Sequence, residues 1–235
     1  MQDDLEDTLH DMGIETVEYG YRWIGNFEED EYFTRNFKKI LSEEREYIDA
    51  VLSINYMAPL AKLCYEIKKP YISWVYDCPF GIYHPEKTIG LPTNHIYFFD
   101  RVTADKFIKK GYTTVHHLPL AVNSDRIDRI IQTTNTDFSS DVTFVGNLYG
   151  NFYSDIRSAL PDYEGGVVDG LVKVQSNLYG AYVLDKVLPD VVTQKWKDCF
   201  PDSEEVRDMD QELFVRWIEQ TIAKEITRRE RLTIL

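Results

Sequence analysis

Three short and nearly continuous apolar runs, Ala50-Val-Leu-Ser-Ile54, Tyr71-Ile-Ser-Trp-Val75 and His95-Ile-Tyr-Phe-Phe99, constrain this chain more than any other feature. A strand with one face in water alternates apolar and polar residues, whereas a strand covered on both faces reads as continuous, so these runs predict a buried parallel sheet. Thr114-Val-His-His-Leu118 reads as a fourth strand. Between the runs, Pro59 opens an apolar helix that continues through Ile67 and is ended by Pro70, and a second helix over 103–110 is closed by Gly111. Strands alternating with helices at this spacing predict an α/β fold on a parallel, doubly wound sheet.

Upstream, Leu5, Leu9 and Met12 recur at helical spacing and Gly13 stands where a C-terminal cap belongs. Ile14 to Tyr19 alternates like a strand, and residues 31–41 place Phe33, Phe37, Ile40 and Leu41 on one helical stripe. A doubly wound domain usually opens on a central strand, and the leading helix here implies that a first strand is missing. Residues 133–140 are polar throughout and mark a boundary. The predicted organisation is a first domain over 1–135 and the start of a second over 136–235. That second part opens on one strand, Asp141-Val-Thr-Phe-Val-Gly146, and is largely helical afterwards. Leu213, Trp217, Ile218, Ile222 and Ile226 form its last stripe, and the apolar Leu232-Thr-Ile-Leu235 reads as a severed element.

Charge narrows the partners. The formal net charge is −14, and the first fifty residues hold 15 acids against 5 Lys and Arg, so nucleic acid or an anionic membrane would be repelled. The plain reading of this excess is a solvated acidic face. No apolar run reaches the roughly 20 residues of a spanning helix, and the acidic N-terminus is unlike a signal peptide, which predicts no transmembrane segment and a cytoplasmic location. Cys64, Cys78 and Cys199 are odd in number and widely spaced, as reduced thiols rather than a disulfide or zinc framework. Glycine-rich dinucleotide and phosphate loops, the Gly-x-Ser-x-Gly elbow and His-Glu-x-x-His are all missing. Asp208-Met-Asp210 is a spacing that chance supplies in a chain this rich in Asp, and His116 and His117, adjacent on a strand, face opposite ways and cannot share a metal. No metal site is predicted.

In open parallel sheets ligands bind beyond the carboxyl ends of the strands. Here those positions are Asn55 and Tyr56, then Asp77, then Asp100 and Arg101, then Asn123. Amides and carboxylates converging on one edge could hold a polyhydroxyl ligand, since both pair well with vicinal hydroxyls. The same residue types also cap helices and close turns, most obviously Asp77 beside Pro79 and Gly81.

Five segments carry a family resemblance: Leu52-Ser-Ile-Asn-Tyr56, Pro70 through Pro79, Ile96-Tyr-Phe-Phe-Asp100, His117-Leu-Pro-Leu-Ala-Val-Asn123 and Asp141-Val-Thr-Phe-Val-Gly-Asn-Leu-Tyr149. In this order they resemble the N-terminal domain of CgeB-like, spore-maturation-type glycosyltransferases. Leu160-Pro-Asp-Tyr163 and Ile226-Thr-Arg-Arg-Glu-Arg231 resemble that family too. The resemblance implies a GT-B architecture of two Rossmann-like domains, the first binding the acceptor, a glycan or protein, and the second a nucleotide sugar, without metal or other cofactor. It makes Asp77 the candidate catalytic base or acceptor anchor and Asn55, Tyr56, Asp100, Arg101 and Asn123 the acceptor side. Gly146, Asn147 and Leu148 become the donor loop, whose N–H groups would approach the diphosphate. Most of the donor domain is expected beyond Leu235, along with its basic residues, so the chain alone is expected to be inactive. The alternative is a non-catalytic, flavodoxin-like module that binds a small molecule or partner at the same edge.

Overall fold

The computed structural model describes residues 2–20, 31–43, 46–77, 82, 84–129, 140–143, 145–148, 150 and 152–234. The chain divides into two compact units, Met1–Thr134 and Asn135–Leu235. Of the polar tract 133–140, only Ser140 is among the described residues.

The first unit is α/β. Helices α1 (Gln2–Asp11) and α2 (Glu31–Glu43) precede strand β1 (Val51–Ile54), after which come helix α3 (Ala58–Ile67), strand β2 (Tyr71–Val75) and a short 3-10 turn over Pro85–Lys87. Strand β3 (Asn94–Phe98), helix α4 (Arg101–Lys109), strand β4 (Val115–His117) and helix α5 (Ser124–Arg129) complete it. Gly13 and Gly111 take φ of +76° and +93° just past α1 and α4, the left-handed conformation a helix C-terminus favours glycine for. Pro59 sits in the first turn of α3, where a missing N–H costs nothing.

All four strands are parallel and lie in the order β1-β2-β3-β4. That order never reverses, so the described strands contain no switch point of the kind a doubly wound sheet has. Crossovers of one hand between successive neighbours lay their helices on one side. Burial follows from this. Val51, Tyr71, Ser73, Val75, Asn94, Ile96, Phe98 and Val115 are buried on one face, against Phe33, Phe37 and Leu41 of α2, Leu60, Leu63 and Cys64 of α3, and Ala104 of α4. On the opposite face Leu52, His95 and His116 are exposed and Ile72, Trp74 and Tyr97 half-buried. The expectation of runs buried on both faces is therefore corrected to a sheet closely packed on one.

Two expected strands are not formed. Ile14–Tyr19 is irregular, with Val17 92% exposed, and the described residues of Asp141–Gly146 are turn and coil, with Val142 90% and Val145 92% exposed. The reason is the same for both: an extended apolar segment becomes a strand only when a neighbour takes its hydrogen bonds, and neither has one among the described residues.

Among its described residues the second unit is helical, with α6 (Tyr153–Ala159), α7 (Asp162–Ser176), α8 (Leu184–Val191), α9 (Gln194–Lys197), α10 (Glu204–Asp208) and α11 (Gln211–Ile234). Phe214, Ile218, Ile222 and Ile226 recur every four residues along α11 and pack with Ile156, Val168, Val172, Leu184, Leu188 and Trp196. No helix among the described residues is long and apolar enough to cross a membrane.

Candidate functional site

The carboxyl ends of β1 and β2 bring two of the expected residues together. Asn55 continues the ladder past β1 by donating its N–H to the Trp74 carbonyl at 2.8 Å, then turns into the left-handed region with φ of +63°. Asn is among the few residues other than glycine that tolerate this conformation. Its side-chain Oδ1 accepts from the N–H groups of Tyr76 at 3.0 Å and Asp77 at 3.2 Å, and its Nδ2 donates to Asp77 Oδ2 at 2.7 Å. The amide thus binds the backbone and carboxylate of the next strand end at once. Asp77 itself is exposed. Cys78, Pro79 and Gly81, which follow, lie outside the described residues.

A partly buried relay holds the Asn55 carbonyl. Ser53 Oγ donates to the Asn55 carbonyl at 2.6 Å, and the Tyr71 hydroxyl, 2.7 Å from the same Oγ, accepts from the Met57 N–H at 2.9 Å. Each hydroxyl has one proton, so the sense of the chain is determined: Met57 N–H to Tyr71, Tyr71 O–H to Ser53, Ser53 O–H to Asn55. Burial pushes the Tyr71 phenol up to about 12, and the relay stays protonated through the physiological range. Composition and spacing do not mark Ser53 and Tyr71 as supports; their inward phase on adjacent, in-register strands does.

The other strand-end residues do different work. Tyr56 is 1% exposed, and its ring lies in the core with the hydroxyl donating to Thr88 Oγ1 at 2.7 Å. Its assignment to an open ligand edge is corrected accordingly. Asp100 caps α4, accepting from Val102 N–H at 3.3 Å and Thr103 N–H at 2.8 Å. Partial burial alone would raise its carboxyl, but the bonds from the Thr103 hydroxyl and these two N–H groups outweigh it and hold the pKa below the usual value. Arg101 is exposed in the first turn of α4. Asn123 precedes α5 and its Oδ1 accepts from the Arg126 N–H at 3.0 Å. It also lines a polar cleft of about 340 Å³ with Asp7, His10 and Asp11 of α1 and Asp125 and Arg129 of α5.

Gly146, Asn147 and Leu148 belong to the second unit and are exposed. The Asn147 carbonyl accepts from Arg231 Nη1 near the end of α11. Among the described residues no group of three or more His, Cys, Asp or Glu side chains is placed to hold a metal ion. Compared with protein-family models, curated proteins and solved structures, the chain finds no match in any of the three.

Proposed function

We propose that the first unit is the acceptor-side domain of a GT-B glycosyltransferase, holding a polyhydroxyl acceptor at the carboxyl ends of β1 and β2. The observation that supports this is the Asn55–Asp77 pair at neighbouring strand ends, where a carboxylate is oriented through one oxygen by the amide of a residue whose carbonyl Ser53 holds. In the reaction the resemblance implies, Asp77 accepts the proton of an acceptor hydroxyl as that oxygen bonds to the anomeric carbon. The bond from that carbon to the nucleoside diphosphate breaks, and the diphosphate leaves with the electron pair. The exposure of Asp77 suits a group that must meet an incoming substrate.

A second reading, a non-catalytic binding module, draws support from the capping roles of Asp100 and Asn123 and the burial of Tyr56, which leave fewer groups at the edge than a glycan site usually gathers. Calorimetric titration with a glycan panel and with UDP-, GDP- and dTDP-sugars separates the two. Glycan binding that falls about tenfold or more in Asp77→Ala, without a change in unfolding midpoint, is expected for the glycosyltransferase. Binding of neither glycan nor nucleotide sugar would sink it in favour of the module.

A further inference from the structure

Charge is unevenly spread over this chain, and the three helices that cover the sheet reverse its sign. The whole carries 26 Lys and Arg against 40 Asp and Glu, whereas the segments 31–43, 58–69 and 101–110 carry ten against four. Those segments are α2, α3 with the two residues after it, and α4 with the one after it, and all three helices pack on the same face of the sheet. Their outer side is the basic side of an acidic protein.

Part of that charge is neutralised locally. Lys38 pairs with Glu66 at 2.9 Å, Lys39 lies 4.0 Å from Glu43, and Lys62 and Lys106 have partners as well. Lys68 and Lys69 after α3, and Lys109 and Lys110 at the end of α4, have no ion-pair partner among the described residues. Lys68, Lys109 and Lys110 are exposed and Lys69 is half-buried. Because α3 leads into β2 and α4 into β4, both helix ends lie at the amino edge of the sheet, opposite the edge that carries Asn55 and Asp77. β2 and β4 flank β3, and neighbouring strands stand about 4.8 Å apart, so the two lysine pairs precede strands only about 10 Å from each other. Apolar side chains stand exposed among them, Tyr65 at 48% and Ile108 at 44%, in the last turns of the same two helices.

A lysine at a helix C-terminus also complements the macrodipole, but that role calls for no exposed tyrosine or isoleucine beside it. An arginine fork reads a phosphate or carboxylate by geometry, whereas lysine is a point charge that suits a diffuse field. Lysines interleaved with an aromatic and an aliphatic side chain match an anionic bilayer surface better than they match nucleic acid or a folded acidic protein. The net charge of −14 does not forbid this. Screening acts over about 8 Å at physiological salt, while a unit of this size has a radius of gyration of about 14 Å, so acids on the far side add little to the field at this edge.

We propose that the amino edge of the sheet, through Lys68, Lys69, Lys109 and Lys110 with Tyr65 and Ile108, docks the first unit on an anionic lipid surface. The carboxyl edge then faces away from the bilayer, and the inference does not rest on what Asn55 and Asp77 bind. Co-sedimentation of the full 235-residue chain with vesicles tests it, using phosphatidylcholine alone and with about 30 mol% phosphatidylserine. Binding is expected to the anionic vesicles only, and to be lost when salt is raised to about 0.5 M. Each lysine near the surface contributes about fivefold in affinity, so Lys109→Gln/Lys110→Gln weakens binding about twentyfold or more. Lys173→Gln/Lys186→Gln, at exposed lysines of α7 and α8, leaves it unchanged. Unfolding midpoints show that each variant keeps its fold, and the lipid and salt dependence of the wild-type chain tests the proposal without any variant.

Absence of sedimentation with the anionic vesicles overturns the proposal, as does an equal loss in the Lys173 and Lys186 control. Binding to poly-glutamate or duplex DNA in place of the vesicles, sensitive to Lys109 and Lys110, also overturns it and assigns the edge to an acidic protein or a nucleic acid.

Discussion

Asn55 decides how the strand-end edge is built, because its backbone and its side chain act on the same turn. The left-handed φ costs a residue with an ordinary Cβ about 1–2 kcal/mol, and the side-chain bonds to Tyr76, Asp77 and the Asp77 carboxylate add about 1 kcal/mol each at most. Asn55→Ala is therefore expected to destabilise the first unit by about 2–4 kcal/mol, and Asn55→Gly by about 1 kcal/mol less, since glycine accepts the backbone but loses the same bonds. Urea unfolding followed through amide exchange in β1 and β2 measures both; equal losses would refute the backbone part of the argument. The same residue explains what could be read from the chain and what could not. Asn55 and Asp77 are legible because each stands within two residues of the end of an apolar run. Tyr56 is misread because counting onward from a strand assumes that alternation continues, whereas the left-handed turn at Asn55 resets it and sends the next side chain into the core.

Among the elements, helices proved more legible than strands, for a reason their hydrogen bonds supply. The stripe of Phe33, Phe37 and Leu41 or the proline at the start of α3 is sufficient evidence locally, because a helix completes its bonds within itself. A strand depends on a partner that no local pattern contains, and so Val51–Ile54 pairs with Tyr71–Trp74 while the described residues of Asp141–Gly146 are turn and coil. One-sided packing was hidden for a related reason: a continuous apolar run states that both faces are apolar, not that both are covered. On α11 the pattern shows Arg228, Arg229 and Arg231 but not that the Glu225 carboxylate, whose side chain is 3% exposed, accepts from Arg228 Nε and Nη2 and from Arg229 Nε. Glu225→Gln removes the negative charge, leaving Arg228 and Arg229 to repel each other beside Tyr153. The expected loss is about 2 kcal/mol, less than the roughly 3–5 kcal/mol of breaking a wholly buried pair because both arginines reach water. Chemical denaturation of the helical unit checks this, and a loss under about 0.5 kcal/mol would show that Glu225 does not organise the cluster.

At the scale of the whole molecule, the two units differ in how their contacts are distributed along the chain. The sheet joins segments about twenty residues apart, as in the register of Ser53 with Ser73 and Ser73 with Ile96, whereas the helical unit relies on neighbours such as α6 with α7 and on the long α11. Each also has a core of its own, around Tyr71, Ile96 and Phe98 in one and Leu188, Phe214 and Ile218 in the other. Truncating a core side chain removes its transfer free energy and leaves a cavity, typically about 2–5 kcal/mol for Ile or Leu to Ala. Ile96→Ala should therefore lower amide protection through β1 to β4, and Leu188→Ala should lower it through α7, α8 and α11. The loss belongs to the cooperative block that holds the cavity, since a block's amides exchange through its own opening. Native-state hydrogen exchange, read residue by residue on the wild type and both variants, resolves the blocks. If Ile96→Ala depressed protection in both units by the same amount, the molecule would open as a single cooperative block, and the independence inferred from its two cores would be wrong.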